Sequence, residues 1–154
     1  GIVDGNNGEG ERVLEKIWRR REIVQQSGIF GAEVPVYLQN RIAQRAVEIR
    51  LEKGKSIFDV AGEQGLLISN DVDAFTAEVD GKAIEVGPYP VYGESYFTTG
   101  REEIYRVIAR RGVLVLHLAV EEFGWIAEVP LFKLRLRQLA EERAIHVQRA
   151  KRLA

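Results

Sequence analysis

The chain contains no cysteine. Disulfides, thiolate metal sites and cysteine nucleophiles are therefore excluded. Methionine is also absent, and the only histidines are His117 and His146, too few for a multi-histidine metal centre. No apolar run approaches the length of a membrane span, and the N-terminus lacks a signal-peptide pattern. The expectation is a cytoplasmic chain with no membrane partner.

What is present is a 154-residue chain, 45% hydrophobic and 29% charged. That suits one compact domain with an appended helix and a real core. The formal net charge of -1 is unevenly spread. Residues 61–100 carry seven acids and one lysine, whereas residues 131–154 carry seven bases and two acids. An acidic centre beside basic ends fits a metal site next to a phosphate-binding surface; ordinary solvated faces are the plainer alternative. Arginine outnumbers lysine 16 to 6, which together with the lack of methionine hints at a thermophilic source.

Periodicity divides the chain. Residues 1–8 are rich in glycine and asparagine and read as loose. A helix is expected over about Glu9–Gln26, with Val13, Ile17 and Val24 on one face and Leu14 and Trp18 beside it. Gly28 to Pro35 is a break. A second helix is expected over Val36–Lys53, with Leu38, Ile42, Ala46 and Ile49 buried and Gly54 ending it. Gly65–Ser69 reads as a short strand, Val72–Val79 and Lys82–Val86 as an acidic hairpin, and Gly87–Gly100 as a loop. Thr99-x-x-Glu102 has the form of a capping box opening a helix to Arg111. The unbroken apolar run Val113–Val120 predicts a strand buried on both faces, and Trp125–Val129 a further strand. Leu131–Arg137 alternates apolar and basic and could begin as strand; Gln138–Leu153 reads as helix. This order implies an α/β sandwich with a mixed sheet. The expected division is 1–35, 36–130 as the core, and 131–154.

The hairpin carries the chemistry. Glu85-Val86-Gly87 lies 12 residues after Asp73. Carboxylates at adjacent strand ends can hold a divalent cation, which can activate water for phosphodiester hydrolysis. Turn geometry decides whether they cooperate. In a two-residue turn at Asp80-Gly81, Val79 pairs with Lys82, Glu85 faces Thr76, and Asp73 points to the other side. In a three-residue bulged loop, Glu78 pairs with Lys82 and both acids share a face. Only the second register allows a shared metal. The alternative without function is a solvated acidic hairpin.

Helix, hairpin, helix and buried strand in that order resemble the restriction-endonuclease-like fold. The chain resembles the PD-(D/E)XK nuclease superfamily, particularly its archaeal RecB-like members, over about Val36 to Val129. Asp73 matches the first acid of the motif and Glu85-Val86-Gly87 its Glu-x-Lys element, with Gly87 in the lysine's place. The resemblance implies magnesium or manganese held by Asp73, Glu85 and the Val86 carbonyl, with Glu48 as the helix glutamate that assists catalysis. It also implies nucleic-acid contact at Arg101-x-x-x-Tyr105, which has the spacing of a Gln-x-x-x-Tyr element. Without the motif lysine, which orients the attacking water and offsets transition-state charge, the outcomes are two. One is a nuclease with a displaced lysine; the other is a degenerate nuclease-fold subunit that binds DNA or a catalytic partner, with a homodimer also open.

Other clusters carry less. Trp18-Arg19-Arg20-Arg21 could bind phosphates with Trp18 stacked on a base, or Trp18 could simply be buried. The basic C-terminal segment, including Arg135, Arg137, Arg143 and Arg149, offers DNA contacts, a solubilising tail or a dimerisation helix. Asp59–Leu66 echoes a helix-turn-helix, which would make the chain a winged-helix regulator and require a helix over Leu67–Phe75. His117, inside the apolar run, reads as a core histidine.

Overall fold

The computed structural model describes residues 2–30, 34–61, 65–99, 105–126 and 128–152. From the N-terminus come helices α1 (Ile2–Gln26) and α2 (Val36–Arg45), strand β1 (Val47–Leu51), helix α3 (Ile57–Ala61) and strand β2 (Gly65–Ile68). A 3-10 turn at Val72–Ala74 leads into β3 (Phe75–Val79) and β4 (Lys82–Ile84). Then follow β5 (Val91–Tyr92), α4 (Glu94–Thr99), β6 (Arg106–Ala109) and β7 (Val113–Ala119). Helices α5 (Phe123–Ile126) and α6 (Pro130–Arg152) complete the order.

The strands form two sheets, in the orders β1-β7-β2-β5 and β4-β3-β6. Every ladder between the described strands is antiparallel. The expected double burial of β7 has a clear cause. Leu116 and Leu118 face a cluster built with the helices, while Val115 faces the space between the sheets. Strand β2 does the same with Leu66 and Ile68 against Leu67. Ile23 and Val24 of α1, Leu38 and Ile42 of α2, and Leu136 and Leu139 of α6 cover the outer face of the first sheet. Phe75, Ala77 and Val79 of β3 and Val107 and Ala109 of β6 fill the sandwich interior with Leu51 and Tyr92. His117 is buried on β7, opposite Leu67 on one side and Val47 on the other. No helix among the described residues is long and apolar enough to cross a membrane.

Several expectations are corrected. The mixed α/β sheet is an antiparallel sandwich with helices on one face. The helix expected over Val36–Lys53 stops at Arg45: Ala46 is extended (φ -73, ψ 150), and residues 47–51 pair with β7. Ile42, Ala46 and Ile49 have helical spacing, but the ladder with β7 outweighs that local signal, as tertiary pairing often does. The segment expected as a helix from Thr99 to Arg111 holds strand β6, and the segment expected as a loop, Gly87–Gly100, holds β5 and the short α4. The capping box expected at Thr99–Glu102 falls largely outside the described residues. Trp125–Val129 is not a strand; Phe123–Ile126 is helical. Leu131–Arg137 belongs to α6, with Pro130 at its first position, where a missing N–H costs nothing. The loose segment 1–8 is continuous with α1 from Ile2. Leu67–Phe75 is strand, loop and 3-10 turn, which removes the basis for a winged helix.

Candidate functional site

The buried charge of this protein gathers where β5 turns into α4. Glu94 and Arg143 are the only acid and the only guanidinium among the buried described residues, at 0% and 1% exposure. Tyr92 closes β5, Gly93 makes the corner, and Glu94 opens α4. Arg143 reaches this corner from α6, where it shares a buried stripe with Leu136, Leu139 and Val147. Its Nη1 donates to Glu94 Oε2 at 2.7 Å and to the Val91 carbonyl at 2.5 Å. Its Nε donates to the Val86 carbonyl at 2.7 Å and its Nη2 to the Tyr89 carbonyl at 2.8 Å. Tyr105, at the entrance to β6, donates its hydroxyl to Glu94 Oε1 at 2.7 Å and accepts from Arg143 Nη1 at 3.1 Å. One side chain of the last helix thus ties together the β4–β5 connection, the corner and the start of β6. A buried ion pair survives only when its remaining donors and lone pairs are also satisfied, and this network provides for that.

The corner also sets the titration of Tyr92. Burial pushes its phenol up from 10.0 to about 12; the Glu94 charge adds to the rise and the Arg143 guanidinium opposes it. The folded state then holds this proton more tightly than the unfolded chain. The contribution of Tyr92 to stability is therefore constant below about pH 10 and falls between about pH 10 and 12, by about 3 kcal/mol in full. Urea titrations at pH 9 and pH 11 check this, with the midpoint as the read-out. Tyr92→Phe should flatten the alkaline loss, and an equal loss in native and variant chains would refute the assignment.

The hairpin register is the one that separates the two acids. Val79 pairs with Lys82, Glu78 with Ala83 and Ala77 with Ile84. Asp80 (φ 51) and Gly81 (φ 80) are both left-handed, the signature of a two-residue type I′ turn. Strand parity ends at Phe75, however, because Val72–Ala74 is a 3-10 turn capped by Asp71, whose carboxylate accepts from the Asp73 N–H. Asp73 and Glu85 consequently line the rim of one cavity of about 280 Å³, together with Arg110, Phe75 and Tyr92. No group of three or more His, Cys, Asp or Glu side chains able to hold a metal occurs among the described residues. The expected magnesium or manganese is thus corrected. The Val86 carbonyl, assigned to metal by the resemblance, accepts from Arg143 instead. Gly87 has φ +84, so the backbone itself calls for glycine where the motif has lysine.

The other sequence-derived candidates are dispersed. Glu48 lies on β1, not on a helix, and accepts from Arg19 Nη2 at 2.8 Å and Arg20 Nε at 3.3 Å. Desolvation alone would raise its carboxyl, but hydrogen bonds and charge from Arg19 and Arg20 outweigh it and hold the group below its ordinary 4.5. Its contribution to stability is therefore present above the unfolded value and is lost as pH falls through the folded one. Arg21 stands over the Trp18 ring at 5.4 Å. Trp18 is not buried; it is 60% exposed. Arg101 lies outside the described residues. Tyr105 is buried in the Glu94 network and offers no face to a nucleic acid. Arg135 donates to the Ile29 carbonyl at 3.3 Å, and Arg137 is exposed on α6. The structure thus brings Asp73, Glu85 and Val86 near one cavity and leaves Glu48, Arg19 and Arg20 on another side with α1. Glu94 carries no local sequence signal that sets it apart from the other acids. Arg143 carried a legible signal, a charge on the apolar stripe of a helix, which requires a buried partner.

No family model matches the chain, and no curated protein matches its sequence. Solved structures do match. One is PKAR CBD2 with Sp-2Cl-cAMPS bound, at 18% identity, TM-score 0.56, covering 90% of this chain and 89% of that one. Another is the regulatory domain of Toxoplasma gondii PKA with cAMP, at 15% identity and TM-score 0.59, covering 87% of this chain and 52% of that one. A third is the regulatory subunit of a cAMP-independent protein kinase A from Trypanosoma cruzi bound to guanosine, at 18% identity and TM-score 0.52, covering 80% and 46%. The chain spans about half the length of the last two. At this identity the likeness establishes the fold, that of the cAMP-binding domains of PKA regulatory subunits. The restriction-endonuclease-like architecture and the PD-(D/E)XK resemblance are overturned. With them go metal-dependent phosphodiester hydrolysis and the degenerate nuclease subunit, which rest on that architecture; the nucleic-acid partner has no support from these structures.

Proposed function

We propose that this chain is a regulatory domain that binds a cyclic nucleotide or a related nucleoside at the β5–α4 corner and passes the event to α6. The single observation that carries the reading is the buried Glu94 carboxylate held by Arg143 of α6 within a fold shared with nucleotide-bound regulatory domains. A ribose diol presents adjacent O–H donors, and a carboxylate is an acceptor-only group with room for both. A ligand hydroxyl at Glu94 competes with Tyr105 and Arg143 for the same oxygens. Binding would therefore redistribute the hydrogen bonds that fasten α6 to the corner. The partition 1–35, 36–130 and 131–154 is carried into this reading, with the middle segment as ligand core and the last as output helix. A separate effector chain is the implied partner.

Thermal unfolding of the native chain with millimolar cAMP, cGMP or guanosine tests the reading. A ligand at about 100 times its Kd adds about 2.7 kcal/mol, which moves Tm by several degrees for a domain of this size. The expected result is a rise with at least one of the three that Glu94→Gln abolishes. No rise with any of them overturns the proposal.

A second reading has its own observation. Glu94 and Arg143 already satisfy one another, and each Arg143 nitrogen donates to a partner. The network would then be a structural cross-link in a fold that has lost its ligand, and a flat thermal response across the panel is its outcome.

A further inference from the structure

A strand at a sheet edge carries a row of N–H and C=O groups with no neighbouring strand to bond. Among the described strands the edges are β1 and β5 in one sheet and β4 and β6 in the other. Strand β5 has two residues and β4 three, and β4 begins with Lys82, a charge that discourages pairing. Residues 54–56 close the edge of β6. There Gly54 donates to the Ala109 carbonyl at 2.8 Å, Ala109 donates to the Lys55 carbonyl at 3.0 Å, and Ser56 bridges Ile108. Strand β1 lacks these protections. It is five residues long, contains no proline, and pairs with β7 without a bulge from Val47–His117 to Leu51–Val113. Beyond that ladder, no backbone hydrogen bond joins 47–51 to another described residue.

Charge and side-chain pattern say what fits this edge. Successive side chains of a strand point to opposite faces. Glu48 and Arg50 share the face toward α1, where Glu48 holds Arg19 and Arg20. Arg50 is exposed and pairs with no acid among the described residues. On the other face Leu51 is buried in the sandwich, Ile49 is half-buried, and Val47 is 61% exposed. Residues 45–55 carry four cations and two acids. Arg19 and Arg20 add to that excess, and Glu22, on the next turn of α1, offsets only one charge. A second copy of β1 would set this positive excess against itself. A nucleic-acid backbone offers phosphate acceptors but no row of N–H donors for the outward carbonyls. An extended peptide supplies both donors and acceptors. Carboxylates on every second residue would meet the guanidiniums, and apolar side chains between them would cover Val47 and Ile49.

We propose that β1 is a strand-addition site for an acidic, extended segment of a partner protein, which lengthens the sheet by one strand. The edge lies at the opposite end of its sheet from β5, so it is independent of the nucleotide reading. The probe is a capped, fluorescently labelled peptide that alternates glutamate and valine over about seven residues, a length that spans the strand. Fluorescence polarisation follows its titration with the native chain, and hydrogen exchange follows the amides of 47–51. The expected result is saturable binding below about 500 μM, with slower exchange within 47–51. N-methylation of the three central peptide residues keeps every charge but removes their N–H donors, and should weaken binding at least about tenfold. Arg50→Glu in the chain, and lysine for glutamate in the peptide, should each weaken it at least about threefold. Far-UV circular dichroism of Arg50→Glu should match the native chain, because the side chain is exposed. No saturable binding overturns the proposal, as does binding indifferent to N-methylation, to Arg50→Glu or to the lysine exchange. A chain that already dimerises through β1 without peptide overturns it too.

Discussion

Arg143→Met should destabilise the fold by about 3–5 kcal/mol, the range seen when one partner of a buried ion pair is removed. The substitution strands the Glu94 carboxylate, which is fully buried, and deprives the carbonyls of Val86, Tyr89 and Val91 of a donor. Methionine keeps the length of the stem and its packing beside Leu139 and Val147, so the loss measures the charge and the hydrogen bonds rather than a cavity. Exchanging Glu94→Leu in the same chain should restore a large part of the loss, because no uncompensated charge then remains. The single variants must therefore be strongly non-additive with the double. Chemical denaturation of the four chains measures this cycle. A loss under about 1 kcal/mol in Arg143→Met would mean that the corner stays hydrated and that the network is no strut.

Gly93→Ala should cost a comparable amount, about 3 kcal/mol or more, for a reason that involves no charge. Gly93 has φ +95, and a Cβ there would meet the Gly65 carbonyl oxygen at 2.1 Å. The backbone fixes where the Cβ must lie and the oxygen it meets is itself backbone, so neither can swing aside. The corner that aims Glu94 at Arg143 depends on this close approach of β5 to β2. Gly87→Ala is the matched control. Its φ of +84 carries similar strain, but the nearest atom is Leu139 Cδ1 at 4.0 Å. It should lose only about 1 kcal/mol. Equal losses at the two positions would show that strain alone, without the steric contact, explains both.

The elements legible in the sequence are those with strong local signals. Asp80-Gly81 marks the hairpin turn, and the apolar run at Val113–Val120 marks a strand buried twice, found at Val113–Ala119. Strand β1 was hidden because Val47–Leu51 continues the helical spacing of Ile42 and Ala46. Its ladder partner, β7, is distant in sequence: Val47 pairs with His117, 70 residues on. Sheet assignment was hidden for the same reason: helix, hairpin and buried strand occur in the same order in unrelated architectures, and pairing is non-local. The candidate site was misread because exposed acids on a hairpin draw attention to themselves. The buried pair is quiet in the sequence, with Glu94 following an apolar strand and Arg143 one arginine among many. Only its place on the stripe of Leu136, Leu139 and Val147 set it apart.

Hydrogen exchange with and without saturating nucleotide, chosen as the member of the cAMP, cGMP and guanosine panel that raises Tm most, tests the central claim most directly. The read-out is amide protection at 89–98 and at 136–147, the two segments that the Glu94–Arg143 pair joins. The account predicts that protection changes in both segments, and that Glu94→Gln removes the change in both. Protection that changes at neither segment with any of the three ligands, or at 89–98 alone, would contradict it.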